Sequence, residues 1–264
     1  MTLTKKDKHG AALIAGVVAV VIGLFAVKLS LDAAPKPDKF DCLGQVAAST
    51  VIVIDRTEKV SQQTQNEILA RTMAYIDAKV TLGERVTVFS LTAVSRQNLT
   101  PSFSRCKPER TGSRVVKDLK ALEKNYKTKF LTPLEEALKA ESIESKESPI
   151  AQALIDVSLT QYLRAPKNSL LVFSDMLEHV PTKFTMYPPQ TCRDQQATVS
   201  AFRASKRGAR ERPSFTNTAL FLNIIPRTDV PRSVLACRDQ LWPWFFGDNE
   251  GGTAALTPDF LPGA

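Results

Sequence analysis

Asp55 and Thr57 close the stretch VIVIDRTEKVS, residues 51–61, in which four β-branched residues run straight into a carboxylate with a hydroxyl two positions beyond. A second carboxylate, Asp175, closes a similar apolar run, SLLVFSD. Carboxylates and hydroxyls at the carboxyl ends of buried strands are hard oxygen donors, suited to a divalent cation. The same residue types cap helices and satisfy loop amides in ordinary α/β domains. The pair could therefore hold a metal or phosphate, or do nothing beyond ending two strands.

Other catalytic constellations find little support. The two histidines are His9, near the start, and His179, close to Asp175 and Glu178, so a multi-histidine metal centre is excluded. Ser174 near His179 is not part of a G-x-S-x-G elbow, and the glycine-rich loop of a phosphate binder is missing. An aspartyl phosphatase would need a second Asp close to Asp55, which DRTEK lacks. The expectation is a protein that is not an enzyme. The alternative is a metal-assisted phosphoester hydrolase using Asp55 and Asp175.

The elements that must position these residues alternate in type. STVIVID, RVTVFSL, SLLVFSD and TALFLNIIP read as buried strands by their apolar runs, and SFSRC as a short strand after a turn at 97–101. SQQTQNEILARTMAYIDAKV reads as a helix with Ile68, Leu69, Met73 and Ile76 at helical spacing and Ser61 or Thr64 as its cap. Residues 113–142 read as charged and helical, SPIAQALIDVSLTQYL as another helix, and VPRSVLACRDQLWPWFF as a last one that Pro243 must bend or end. Alternation of this kind predicts an α/β fold with a mostly parallel sheet covered on both faces. Ligands of such sheets sit beyond the carboxyl ends of the strands, where the strand order switches. Asp55 and Asp175 should meet there.

Two further features bear on location. Residues 11–27 contain no charge, a run longer than the apolar core of a secretory leader, and KLSLDAAPKP offers no clean cleavage site. The expected organisation is a cytoplasmic tail at 1–10, a transmembrane signal anchor at 11–31, a proline-containing linker at 32–44 and an extracytoplasmic domain at 45–264. Lys5, Lys6 and Lys8 precede the span and favour a cytoplasmic amino terminus. Cys42, Cys106, Cys192 and Cys237 all follow it, with no C-x-x-C pair, as expected of disulfides in an oxidising compartment such as the bacterial periplasm. Ala15, Ala19 and Gly23 form a small-residue ladder through which two spans could pack as a homo-oligomer.

The net charge of +8 is densest in FRASKRGARERP, with Arg203, Lys206, Arg207, Arg210 and Arg212. That density is too low for a nucleic-acid reading. It suits a solvated helix end and loop, or a docking surface for an acidic protein partner. Trp242, Trp244, Phe245 and Phe246 read as core packing.

DRTEK, ESPIAQAL and FSDMLEH, in this succession of strands and helices, resemble the von Willebrand factor A family over roughly residues 45–246. The resemblance implies a Rossmann-like three-layer sandwich, here preceded by one transmembrane helix. It also implies a metal-ion-dependent adhesion site, with Asp55 and Thr57 from the first strand end, Ser148 from the later loop and Asp175 from the fourth strand. Such a site holds Mg²⁺ and leaves one position open for a partner's carboxylate. Lys59 stands where the family has its second Ser, and an ammonium cannot ligate a metal. The expectation is therefore a degenerate, metal-free site, with bound Mg²⁺ as the alternative. The family's antiparallel edge strand would carry Cys106 to the same sheet edge as Cys42, which implies the pairs Cys42–Cys106 and Cys192–Cys237. The function expected is a membrane-anchored protein-binding or scaffold module in a membrane-associated complex.

Overall fold

The computed structural model describes residues 5–32, 36–92, 99–112, 118–188, 192–205, 212–247 and 255–261. Eight strands and seven α-helices are described. They are β1 (Ala48–Asp55), β2 (Arg85–Leu91), β3 (Phe103–Cys106), β4 (Lys167–Ser174), β5 (His179–Val180), β6 (Phe184–Thr185), β7 (Thr218–Ile224) and β8 (Ala255–Phe260), with α1 (Lys5–Asp32), α2 (Gln62–Lys79), α3 (Leu119–Asn125), α4 (Thr132–Leu138), α5 (Ile150–Leu159), α6 (Gln195–Ser205) and α7 (Arg232–Gly247).

Six strands form one sheet in the order β3-β2-β1-β4-β7-β8. All neighbours are parallel except β3, which pairs antiparallel with β2. β1 lies in the interior, and its alternate residues face opposite layers. Val51 and Val53 pack with residues of α5 and α7, whereas Ile52 and Ile54 pack with residues of α2 and α4. Both faces being covered explains the near-continuous apolar runs. The chain proceeds from β1 to β2 on one side and returns to β4 on the other. The switch in strand order therefore lies between β1 and β4, with Asp55 opposite Leu91 in the ladder to β2.

Several expectations of the sequence need correction. The helical stretch expected at 113–142 is interrupted: α3 runs into a π-helical turn, Tyr126–Leu131, before α4 begins. Pro133 lies in the first turn of α4 and has no N–H to donate backward, which relaxes the register ahead of it. Tyr126 and Phe130, both buried, hold the widened turn on the core. Pro243 does not end α7, which continues to Gly247. Trp242, Phe245 and Phe246 are buried on either side of it and hold the last turn in place. The small β5–β6 hairpin, α6 and β8 are additional to the sequence reading. Of the turn at 97–101, residues 97 and 98 lie outside the described residues.

α1 covers the stretch expected to be the anchor. Its side chains, described from Ile14 to Leu29, are exposed. Among the described residues no helix is long and apolar enough to cross a membrane. Two disulfides close the domain: Cys42–Cys106, with Cα atoms 5.0 Å apart, and Cys192–Cys237, at 5.1 Å. The first joins the segment before β1 to the end of edge strand β3, reinforced by the Cys106 N–H donating to the Phe40 carbonyl at 2.8 Å.

Candidate functional site at the carboxyl edge of the sheet

Asp55 ends β1, and its oxygens are divided between two loops. Oδ1 accepts from the Thr57 backbone N–H at 3.0 Å and from the Thr57 hydroxyl at 2.6 Å. Oδ2 accepts from the Ser174 hydroxyl at 2.8 Å. The Thr57 and Ser148 hydroxyls are 3.0 Å apart. Thr57 has one hydroxyl proton and spends it on Asp55, so Ser148 is the donor in this second bond. Ser148 is fixed in turn by a two-way backbone bridge to His179, at 2.7 and 3.0 Å. Three of the four expected ligands thus form one hydrogen-bonded chain.

Asp175, the fourth, lies just past β4 and is 7% exposed, against 8% for Asp55. Its Oδ1 accepts from the Leu177 N–H at 2.9 Å, and its Oδ2 from Arg227 Nη1 at 2.8 Å. Burial, and then the neighbouring Asp55 carboxylate, push the Asp175 carboxyl up to about 7, while the Leu177 N–H and the Arg238 charge pull it down. Ser174 ties the two strand ends together. It donates to Asp55, accepts from the Met176 N–H at 2.9 Å, and so steadies a residue held at φ 62.

Arg227 is the residue the sequence reading missed. It follows β7 by three positions and has a partly buried guanidinium. Nη1 bridges Asp175 and Glu58, while Nε and Nη2 fork onto Asp229 at 2.7 Å each. Arg227 holds the Asp229 carboxyl down at about 2. The signal was present: β7 also ends at this edge, so a charged residue just after IIP should reach it. Arg56 was missed as well. It is 2% exposed, its Nη2 donates to the Leu138 carbonyl, and burial lowers its pKa. Its own carbonyl and that of Thr57 accept from Ile143 and Ser145, both at 2.9 Å, laying the Ser148 loop along the end of β1.

Lys59, expected beside the cation position, is exposed and lines an open cleft of about 480 Å³. Asp55, Glu58, Asp175, Arg227 and Asp229 line the same cleft. The donor types suit Mg²⁺, but the arrangement does not fit it. An oxygen of Asp175 that would face the ion, or a water on it, is already paired with a guanidinium. No group of three or more acidic, His or Cys side chains spaced for a metal occurs among the described residues.

The remaining candidates lie elsewhere. Ser174 gives its proton to Asp55, and the His179 ring engages the Thr185 hydroxyl at 2.7 Å and the Tyr187 ring, 5.1 Å away, so the two form no dyad. Glu178 is buried and its carboxylate accepts from the Ala151 N–H at 2.7 Å in the first turn of α5. Arg203, on α6, stacks over Trp244 at 4.7 Å, and Arg212 is exposed. Lys206, Arg207 and Arg210 lie outside the described residues.

No family model matches the chain. No curated protein sequence matches it either. Among solved structures, the human COPII-coat protein Sec24c aligns at a TM-score of 0.36 and 12% identity, covering 87% of this chain and 30% of that one. Three N-terminal domains of the type V pili tip protein Mfa5 from Porphyromonas gingivalis align at a TM-score of 0.31 and 12% identity, covering 59% and 26%. The chain thus spans under a third of either chain's length, and likeness at this level carries no argument.

Proposed function

We propose that this chain is a non-enzymatic protein-binding module of von Willebrand factor A type, held by α1 at the periplasmic face of a bacterial inner membrane with its amino terminus in the cytoplasm. The observation that carries the reading is the convergence of Asp55, Thr57, Ser148 and Asp175 at the switch in strand order, with every carboxylate oxygen already engaged by a protein donor. A recognition surface tolerates such engagement. A hydrolase needs a carboxylate free to attack, to bind a metal or to activate water. The antiparallel edge strand β3 and the parallel order of the others support the family reading.

The charge-free run at 11–27 and the exposed Ile14, Val17, Val21, Leu24 and Phe25 of α1 support an apolar environment around that helix. The two disulfides support an oxidising compartment. The expected partner is a protein of a membrane-associated complex, meeting the Asp55–Asp175 cleft.

A photocrosslinking residue placed at Lys59, inside the cleft, and at Leu82, exposed elsewhere, tests this in full-length protein in its native membrane. A discrete protein adduct from position 59 and none from 82 is the expected result. Equal labelling at both positions would remove the cleft as the binding surface. Turnover of a phosphoester panel, lost on Asp55→Asn, would instead establish the hydrolase.

A further inference from the structure

The amino edge of the sheet, opposite the cleft, carries a different surface. Two large apolar side chains, Leu43 before β1 and Leu82 before β2, are each 66% exposed there. Both segments are tied to the end of β3. The Cys42–Cys106 bridge and the Cys106 N–H on the Phe40 carbonyl fix the first. The Gly83 N–H donates to the Lys107 carbonyl and the Lys107 N–H to the Glu84 carbonyl, both at 2.9 Å, which fixes the second. Leu43 shares a shallow hollow of about 190 Å³ with Pro37, Arg105 and Lys129. Lys39, Lys79, Lys129, Arg164 and Lys167 lie at this end and are all exposed. Most carboxylates beside them are already engaged. Asp41 pairs with Arg105, Asp38 turns back on the Phe40 and Cys42 N–H groups, and Glu84 is buried and accepts from Thr50 and Thr81. Asp77, in the last turn of α2, stays exposed. Apolar side chains set among exposed cations suit an anionic lipid surface.

The chain itself brings this edge to the membrane. From Asp38 onward the linker is docked on the domain, with the Asp38 N–H on the Cys42 carbonyl and the Asp41 N–H on the Asp38 carbonyl, both at 3.0 Å. Six residue steps separate Asp38 from Asp32, where α1 ends, an extended reach of about 20 Å. We infer that the amino edge of the sheet rests on anionic phospholipid headgroups beside α1, with Leu43 and Leu82 entering the interface. The Asp55–Asp175 cleft, at the far end of β1, then points away from the membrane, about 23 Å farther out over the eight residues of that strand. The cleft is lined by more carboxylates than cations, so the same headgroups repel it and both ends favour one orientation. The inference rests on the reading of α1 as the anchor and is independent of any partner at the cleft.

Full-length protein in lipid nanodiscs reads this orientation, with a fluorescent amino acid at Leu82 or at Lys59 and a spin-labelled headgroup as quencher. Discs with about 30% phosphatidylglycerol should quench position 82 at least about threefold more than position 59. Position 82 should lose most of that quenching in phosphatidylcholine alone. Lys79→Gln, Lys129→Gln and Lys167→Gln together should have the same effect in anionic discs. Protein without these three changes gives a second reading, because about 0.5 M salt screens a surface contact and should lower the quenching at 82 as well. Equal quenching at the two positions would overturn the inference, as would quenching at 82 indifferent to lipid charge and salt. Protein that enters the discs and shows no quenching at 82 would overturn the inference alone. Protein that fails to enter them would overturn the anchor reading and the inference with it.

Discussion

Ser174 is fully buried between an acceptor and a donor, Asp55 Oδ2 on one side and the Met176 N–H on the other. Replacing it with Ala removes one hydroxyl but strands two buried groups, at a cost of about 1–3 kcal/mol each way that desolvation is left unmatched. Ser174→Ala should therefore lower the urea midpoint visibly, and an unchanged midpoint would mean the bond contributes nothing. Asp229 gives a second test. Its folded pKa, about 2, lies below the ordinary 3.8, so its contribution to stability is present above pH 3.8 and lost as pH falls through about 2. With Arg227→Gln the carboxyl should titrate near 3.8 by NMR; a value still near 2 would mean that Arg227 is not the cause. Asp55 and Asp175 were legible in the sequence because each ends an apolar strand. Thr57 was legible as a hydroxyl two positions past the first strand's carboxylate, and Ser148 only through the family pattern. Arg227 was legible only as a charge following the β7 run, not as a partner of Asp175, which depends on β7 lying beside β4; Ser174 was not legible as a tie, since that role is a hydrogen bond between two strand ends.

Lys107 shows the same dependence for an element. Just beyond β3, its ammonium donates to the carbonyls of Ile76 and Val80 at 2.7 and 2.8 Å, closing the carboxyl end of α2. These are orphan acceptors at the negative end of the helix dipole. Lys107→Met keeps most of the stem and loses the charge and both bonds, so it should cost about 1–2 kcal/mol, measured by thermal denaturation. The strands β1, β2 and β4 could be read from sequence because burial on both faces leaves continuous apolar runs, and β7 because its alternate residues are buried and most of the rest are apolar. α2 could be read because its cap, Ser61, and its apolar spacing agree. The α3–α4 region could not: a proline and a buried Tyr126–Phe130 pair set its register, and neither acts through periodicity. β8 is six residues long with a proline inside, which only an edge position tolerates.

Across the whole molecule, the two disulfides close loops of 64 and 45 residues of sequence separation. Chain-entropy reasoning gives each about 4 kcal/mol, so paired Ser substitutions at either bridge should lower the melting temperature by similar amounts. A large asymmetry would show that one bridge works mainly by holding local geometry. The exposed Ala15, Ala19 and Gly23 ladder of α1 gives a prediction of another kind: Ala19→Leu should reduce crosslinked dimer of the full-length protein, and unchanged crosslinking would rule that face out. The Cys42–Cys106 bridge has a further, mechanical consequence. A pull on α1 enters the domain at Cys42, six residues before β1 begins at Ala48, and there the load divides. Part follows the backbone into interior strand β1, and part crosses the sulfur bridge to edge strand β3. β1 is thereby relieved of carrying the whole tension, and the region it shares with β2 resists being unzipped from its amino end. Under reducing conditions that second path is cut, so the same tug would reach Asp55, at the far end of β1, along a single strand.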